Sequence, residues 1–368
     1  MRGSPRLFVW PLIVSVVLVH VVLALPASAS SDAQSFELDA NAQNGAPSGD
    51  DWNAVVPTDH SSTDIVSSFV RDGDNPPADT SYFTGGGSKD LNDVPGWAWT
   101  TGDVAPDKNE ITNAYAVAYR ATVDTTRNDV GDLLVYFGLD RYANNGDAQV
   151  GFWFFRDAVG MEPDGTFSGA HRKGDILVLS HFTQGGTVSD VNVYAWVGSG
   201  GSDGALDLKV SAKSCAAAGA NDPACAIVNQ TNTPAPWTYV PKAGSAGVFP
   251  QGSFYEGGID ITRLVPGVTC FKSFMAETRS SQSVTAQLKD LALGPFNTCP
   301  VKTSSGPVRP AGPAAPGIVW DPLPATGAST TGPLALLGLG MLLFGLGARG
   351  TASRHLRLAR DASASIAA

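Results

Sequence analysis

Oxygen-bearing side chains and tryptophans are the groups in this chain best placed to do chemistry. Asp90, Asn92, Asp93, Asp107, Asn109 and Glu110 form one oxygen-rich run, and Asp140, Asn144, Asn145 and Asp147 form another. Calcium takes six to eight oxygen ligands from such groups. Neither run has the spacing of an EF-hand loop, and Asp and Asn also make local turn hydrogen bonds, which is the favoured reading. Trp97 and Trp99, in Gly96-Trp97-Ala98-Trp99, fall on one face of an extended strand. Exposed there, their rings would stack on sugars. The competing and favoured reading makes Trp97, Trp153 and Trp196 core residues, since aromatics dominate sandwich cores.

Catalytic signatures are sparse. Between the two apolar ends the only histidines are His60, His171 and His181, and there is no Gly-x-Ser-x-Gly, His-Glu-x-x-His or zinc-binding pattern. A glycosidase needs only two carboxylates. Glu256, Asp260 and Glu277 lie in or near β-type runs, but no closely spaced acidic triplet stands on one strand. The expectation is therefore a non-enzyme, with a glycoside hydrolase acting on extracellular polysaccharide as the alternative. No cofactor is certain; structural calcium is the one considered.

Short β-type runs must position these groups. They are residues 114–121, 132–138, 149–155, 175–180, 191–197, 206–210, 253–261, 270–277 and 283–293, separated by turn residues. Residues 149–155 are apolar on both faces and so belong at the centre of a sheet. Asn144-Asn145-Gly146-Asp147 reads as a hairpin turn between the second and third runs, because Asn and Gly tolerate positive φ. Residues 30–300 are expected to form one all-β domain, an antiparallel β-sandwich or jelly roll of lectin-like type, with long decorated loops.

Both ends read as processing segments. Arg2 and Arg6 precede an apolar run to Leu25, and Ala27-Ser28-Ala29 offers small residues for cleavage, so 1–29 is expected to be a signal peptide. Residues 301–322 are rich in Pro, Gly, Ala and Ser, the composition of a stiff, extended, wall-spanning linker. Residues 328–348 are expected to form an apolar transmembrane segment just long enough to span a bilayer. Residues 349–368 form a basic tail expected on the cytoplasmic side.

The whole chain has a net charge of −10. Residues 30–326 are more acidic still, because the two ends hold Arg2, Arg6, Arg349, Arg354, Arg357 and Arg360 against Asp361 alone. Such a surface argues against nucleic acid and anionic lipid as partners. Membrane contact is expected only through the C-terminal segment. Four cysteines in an exported chain read as two disulfides. Three pairings are open, and Cys215–Cys225 with Cys270–Cys299 is favoured: the first closes a Gly/Ala-rich loop, the second ties the end of the domain to a strand.

Leu323-Pro324-Ala325-Thr326-Gly327, followed by an apolar segment and a basic tail, resembles the LPXTG cell-wall sorting signal of sortase substrates. The resemblance implies that a sortase thiolate attacks the Thr326 carbonyl and releases Gly327 onward, and that a peptidoglycan amine resolves the thioester. Sortase and peptidoglycan are the implied partners, and the implied location is the cell surface, covalently on the wall after a membrane-held precursor.

A second resemblance covers about residues 36–300. Phe36-Glu37-Leu38-Asp39, Asp50-Asp51-Trp52, Gly86-Gly87-Ser88-Lys89-Asp90, Tyr136-Phe137-Gly138 and Gly151-Phe152-Trp153-Phe154-Phe155 look like a module recurrent in actinobacterial surface proteins, without established activity. It implies location and a β-rich fold. Adhesion, through a glycan or matrix protein, is the expected role, with a purely structural cell-envelope protein as a further alternative beside the polysaccharide-acting enzyme. By analogy with jelly-roll carbohydrate-binding modules, Glu37 or Asp39 with Asp290 would share a structural calcium.

Overall fold

The nine expected runs all become strands. The structure is a computed structural model that describes residues 36–300 except 46–48, 57–64, 74–80, 85, 102–104, 123, 125–127, 185 and 219–221. The expected signal peptide, linker, sorting motif and transmembrane segment lie outside the described residues. Among the described residues no helix is long and apolar enough to cross a membrane.

In chain order the strands are β1 (Ile65–Arg71), β2 (Tyr82–Phe83), β3 (Trp99–Thr100), β4 (Ile111–Arg120), β5 (Leu133–Arg141), β6 (Ala148–Phe155), β7 (Gly160–Met161), β8 (Phe167–Ser168) and β9 (Ile176–Phe182). They continue with β10 (Val188–Gly201), β11 (Gly204–Ala212), β12 (Ala224–Val228), β13 (Thr233–Pro234), β14 (Val248–Phe249), β15 (Phe254–Asp260), β16 (Ser273–Arg279) and β17 (Leu288–Pro295). Two short helices, α1 (Trp52–Val55) and α2 (Ile261–Leu264), complete the set used below.

The main strands form two antiparallel sheets. One has the order β1-β4-β5-β15-β12, the other β11-β10-β9-β6-β16-β17-β2-β3. Period-two alternation fixes which face each side chain takes. Ala114, Ala116, Ala118, Val135, Phe137 and Leu139 of the five-stranded sheet meet Val150, Phe152, Phe154, Val178, Val193 and Phe274 of the eight-stranded sheet in a buried core between them. Each large apolar side chain so buried contributes about 1.5–3 kcal/mol.

Both outer faces are also apolar and buried, so each sheet carries a cover. Phe36, Leu38, Trp52, Val55, Trp237, Tyr239 and Phe249 pack on Tyr115, Val117, Tyr136 and Phe254, the outer face of the five-stranded sheet. Phe83, Val94, Trp97 and Phe167 pack on Trp153, Phe155, Leu177 and Met275, the outer face of the eight-stranded sheet. The order is cover, sheet, sheet, cover. This is why residues 149–155 are apolar on both faces, and β6 does lie inside its sheet, between β9 and β16.

One expected feature is corrected. Asn144-Asn145-Gly146-Asp147 does not close a hairpin: β5 and β6 belong to different sheets. Both edges of β5 are taken by β4 and β15, and both edges of β6 by β9 and β16. The turn is instead a corner between sheets, held where Asn144 Nδ2 donates to Gln251 O at 2.9 Å. Strands β1 and β12 were not expected. Paired serines interrupt the first, and the second is short and contains Cys225.

All four cysteines pair as favoured. Cys215–Cys225 has its Cα atoms 4.8 Å apart and Cys270–Cys299 has them 4.7 Å apart. The two disulfides fit an oxidising compartment.

Candidate functional site

The densest set of chemistry-bearing side chains lies under the cover of the five-stranded sheet. Phe36 bridges Asp50 in parallel, and Glu37 N donates to Asp50 O at 2.8 Å. This lays residues 36–39 beside 49–51. Asp51 caps α1, its Oδ1 accepting from Trp52 N at 2.5 Å. Glu256 rises from the outer face of β15 into the same space. Its Oε2 accepts from Trp52 Nε1 at 2.8 Å and its Oε1 from Ala40 N at 2.6 Å. Glu37 Oε2 accepts from Gly45 N at 2.9 Å, and Asp39 folds back on Asn41. Glu37, Asp51 and Glu256 are buried, while Asp39 stands at the exposed rim.

Burial dominates the electrostatics there. It lifts the Asp51 carboxyl to about 8, against the hydrogen bond from Trp52 N and with help from the charges of Asp39 and Glu37. Glu256 is pushed well above the carboxylate range by burial first and then by Asp51 and Asp39. Asp39 is raised by burial and by Glu37. Two buried oxygens in the cluster, Glu37 Oε1 and Asp51 Oδ2, have no hydrogen-bond partner.

Asp290 is not part of this set. Its Oδ2 accepts from Ile111 N at 2.6 Å and its Oδ1 from Leu291 N at 3.0 Å. It shares the inward face of β17 with Ala292, which lies in the core between the sheets. The five-stranded sheet therefore separates it from Glu37 and Asp39, and the three expected calcium ligands do not meet. Among the described residues no three His, Cys, Asp or Glu side chains converge as a ready metal centre.

A second acidic set sits on the outer face of the eight-stranded sheet and carries its own cation. Arg279 Nη2 lies 2.6 Å from Asp90 Oδ2, and its Nη1 lies 3.7 Å from Glu277 Oε1. Trp153 Nε1 donates to Asp90 Oδ1 at 2.9 Å. Glu277 is raised well above its usual range by burial, then by Asp90, with Arg279 opposing. All three are buried.

The tryptophans divide. Trp97 is 1 % exposed; its indole donates to Lys89 O at 2.8 Å, and its ring packs on Phe83, Phe155 and Phe167. Trp99 opens β3 half-buried, with Nε1 shared between Glu162 O and Thr166 O at 3.1 and 3.0 Å. Trp153 and Trp196 enclose the His171 ring at 4.2 Å each. His171 Nδ1 sits 3.0 Å from Asp175 Oδ2, and its side chain is wholly buried.

The oxygen-rich runs make turn and cap contacts. Asp93 Oδ1 accepts from Val94 N and His171 N. Asp140 accepts from Asn113 Nδ2 and Trp237 Nε1 at 2.8 and 2.9 Å, and burial raises its carboxyl to about 7 against those bonds.

Compared with protein-family models, with curated proteins and with solved structures, the chain matches none.

Proposed function

We propose that this protein is exported, sorted at Leu323–Gly327 and displayed covalently on the cell wall, with the sandwich as an outward-facing adhesion module for a glycan or matrix protein. The observation that carries the reading is the pairing of all four cysteines in a domain that lies, in sequence, between an apolar leader and the Leu-Pro-Ala-Thr-Gly motif. The long connections that cross between and cover the sheets support a lectin-like jelly roll.

Thr326→Ala tests the anchoring. In a sortase-competent host, wild-type protein is released by wall-digesting enzyme, whereas the variant moves to the detergent-soluble membrane fraction or the medium. Equal release of both by wall digestion contradicts the proposal. For the adhesion role, Trp99 is the member of the Trp97/Trp99 pair with ring surface left for a sugar. Trp99→Ala is expected to reduce binding on a glycan array with Tm nearly unchanged. Trp97→Ala is expected to act only through stability, costing roughly 3–5 kcal/mol as other buried tryptophan truncations do.

A further inference from the structure

We propose that a cleft on the outer face of the five-stranded sheet binds the acetamido group of an N-acetylhexosamine, with Asp260 Oδ2 accepting from the amide N–H and Leu38, Leu134 and Tyr136 enclosing the methyl. The strand register builds the site. Across β15 and β5, Asp260 pairs with Leu134 and Gly258 with Tyr136, and Cys225 of β12 pairs with Gly258 on the other side. Alternation puts Gly258 and Asp260 on the same face of β15 as Glu256. A Cβ at Gly258 would stand 2.7 Å from the Tyr136 ring and 3.0 Å from Leu38 Cδ1, so those two side chains close over the bare strand and wall the cleft. Leu134 and Cys225 line it further, and so do Asn128 and the exposed Asp222.

Two observations carry the assignment. Asp260 is 6 % exposed. Its Oδ1 accepts from Arg263 N at 3.0 Å, whereas its Oδ2 is buried without a hydrogen-bond partner. A buried acceptor left unmatched is costly, so this oxygen calls for a ligand that donates to it. Burial lifts the carboxyl to about 6, against the hydrogen bond from Arg263 N and with help from the charge of Asp132, so at pH 7.5 it is an ionised acceptor. The second observation is size and character. The cleft holds about 60 Å³, room for roughly four to six water-sized groups at about 10–15 Å³ each. An acetamido group, with one nitrogen, one oxygen and two carbons, fits that space; it offers an N–H to the carboxylate and a methyl to the apolar walls. The sugar ring is too large to enter and would stay at the mouth. No described residue lining the cleft is basic, which disfavours phosphate and acidic sugars. An ammonium would leave its hydration shell for one buried partner among apolar side chains, a poor exchange for a full charge. The inference rests on the glycan-binding reading and adds a site separate from Trp99, which lies in the other sheet.

The test uses the full-length chain in mild detergent at pH 7.5, titrated with N-acetylglucosamine and read by saturation-transfer NMR. The sugar is expected to bind with a Kd on the order of 1 mM, as suits a ligand of its size, and its acetyl methyl should be the most strongly saturated group. Glucose and glucosamine, which lack the acetyl group, should bind at least about tenfold more weakly. Asp260→Asn keeps the cap on Arg263 N, because Asn caps as well as Asp, but removes the free acceptor; it is expected to weaken N-acetylglucosamine binding at least about tenfold. Leu38→Phe, which fills the cleft from the cover, should do the same and serves if the first variant folds poorly, as judged by Tm. Asp207→Asn, on β11 of the other sheet, should retain binding. Absence of N-acetylglucosamine binding by the wild type overturns the inference, as does equal binding of glucose or glucosamine, or full binding by both cleft variants. The broader glycan reading falls only if the glycan array is blank as well.

Discussion

Ala40 holds φ at 69°, a left-handed conformation that costs an L-residue roughly 1–2 kcal/mol. The strain aims its N–H at Glu256 Oε1, so the backbone is bent to satisfy a carboxyl 216 positions away. Ala40→Gly is expected to keep that hydrogen bond and raise stability by about 0.5–1 kcal/mol, read as a higher urea midpoint. Asp51 gives a pH signature. Its carboxyl sits at about 8 in the fold and near 3.9 unfolded. Between those values the folded chain holds a proton that the unfolded chain has lost, so stability falls as pH rises through the window and levels off above it. Glu37, Asp39 and Glu256 face the group and keep the proton in place. Asp51→Asn should therefore lose less stability than wild type between pH 5 and pH 8; the raised carboxyls of Glu256, Glu277, Asp140 and Asp260 leave a residual slope. Of the cluster, Glu37 and Asp39 were candidates only through the analogy with jelly-roll carbohydrate-binding modules, not through their spacing. Their partners were not legible, since Asp51 and Glu256 meet them only after the cover folds onto β15, and local spacing carries no trace of that. Trp97 shows the same limit: a ring two residues from Trp99 takes a buried place because Phe83, Phe155 and Phe167 converge on it from three other elements.

At the scale of elements, alternation and double-sided apolar runs identified the long strands, because burial on each face writes itself directly into a period of two. The corner at residues 144–147 was misread for a different reason. Turn residues report local φ freedom, whereas the choice between hairpin and sheet-to-sheet corner depends on which strand edges are already occupied. Covers were invisible as such, since Phe36, Trp52 and Trp97 lie in segments without strand or helix period. Gly151 marks a close approach between neighbouring strands: a Cβ there would clash with Glu277 Oε1 and stand 2.9 Å from its Cγ. Gly151→Ala is expected to destabilise by about 1–3 kcal/mol through overpacking, measured by thermal unfolding. The disulfides rank by the loop each closes. Cys270–Cys299 spans 29 positions and Cys215–Cys225 spans 10. Replacing the first pair with serine should cost about 3.5 kcal/mol against about 2.7 kcal/mol for the second on loop entropy.

The described residues form a four-layer arrangement with buried carboxyls beneath both covers. Buried carboxyls fasten covers to sheets: Asp90 pairs with Arg279 on one side, and Glu256 accepts from Ala40 N and Trp52 Nε1 on the other. The proposed export and anchoring rest on the terminal segments, where Ala27-Ser28-Ala29 and Leu323-Pro324-Ala325-Thr326-Gly327 are short linear patterns readable without any fold. Mass spectrometry of the C-terminal peptide, on protein released by muramidase from sortase-competent cells, tests that account most directly. The peptide is predicted to end at Thr326 carrying a peptidoglycan fragment in amide linkage; a peptide continuing through Gly327 to Ala368 would contradict it.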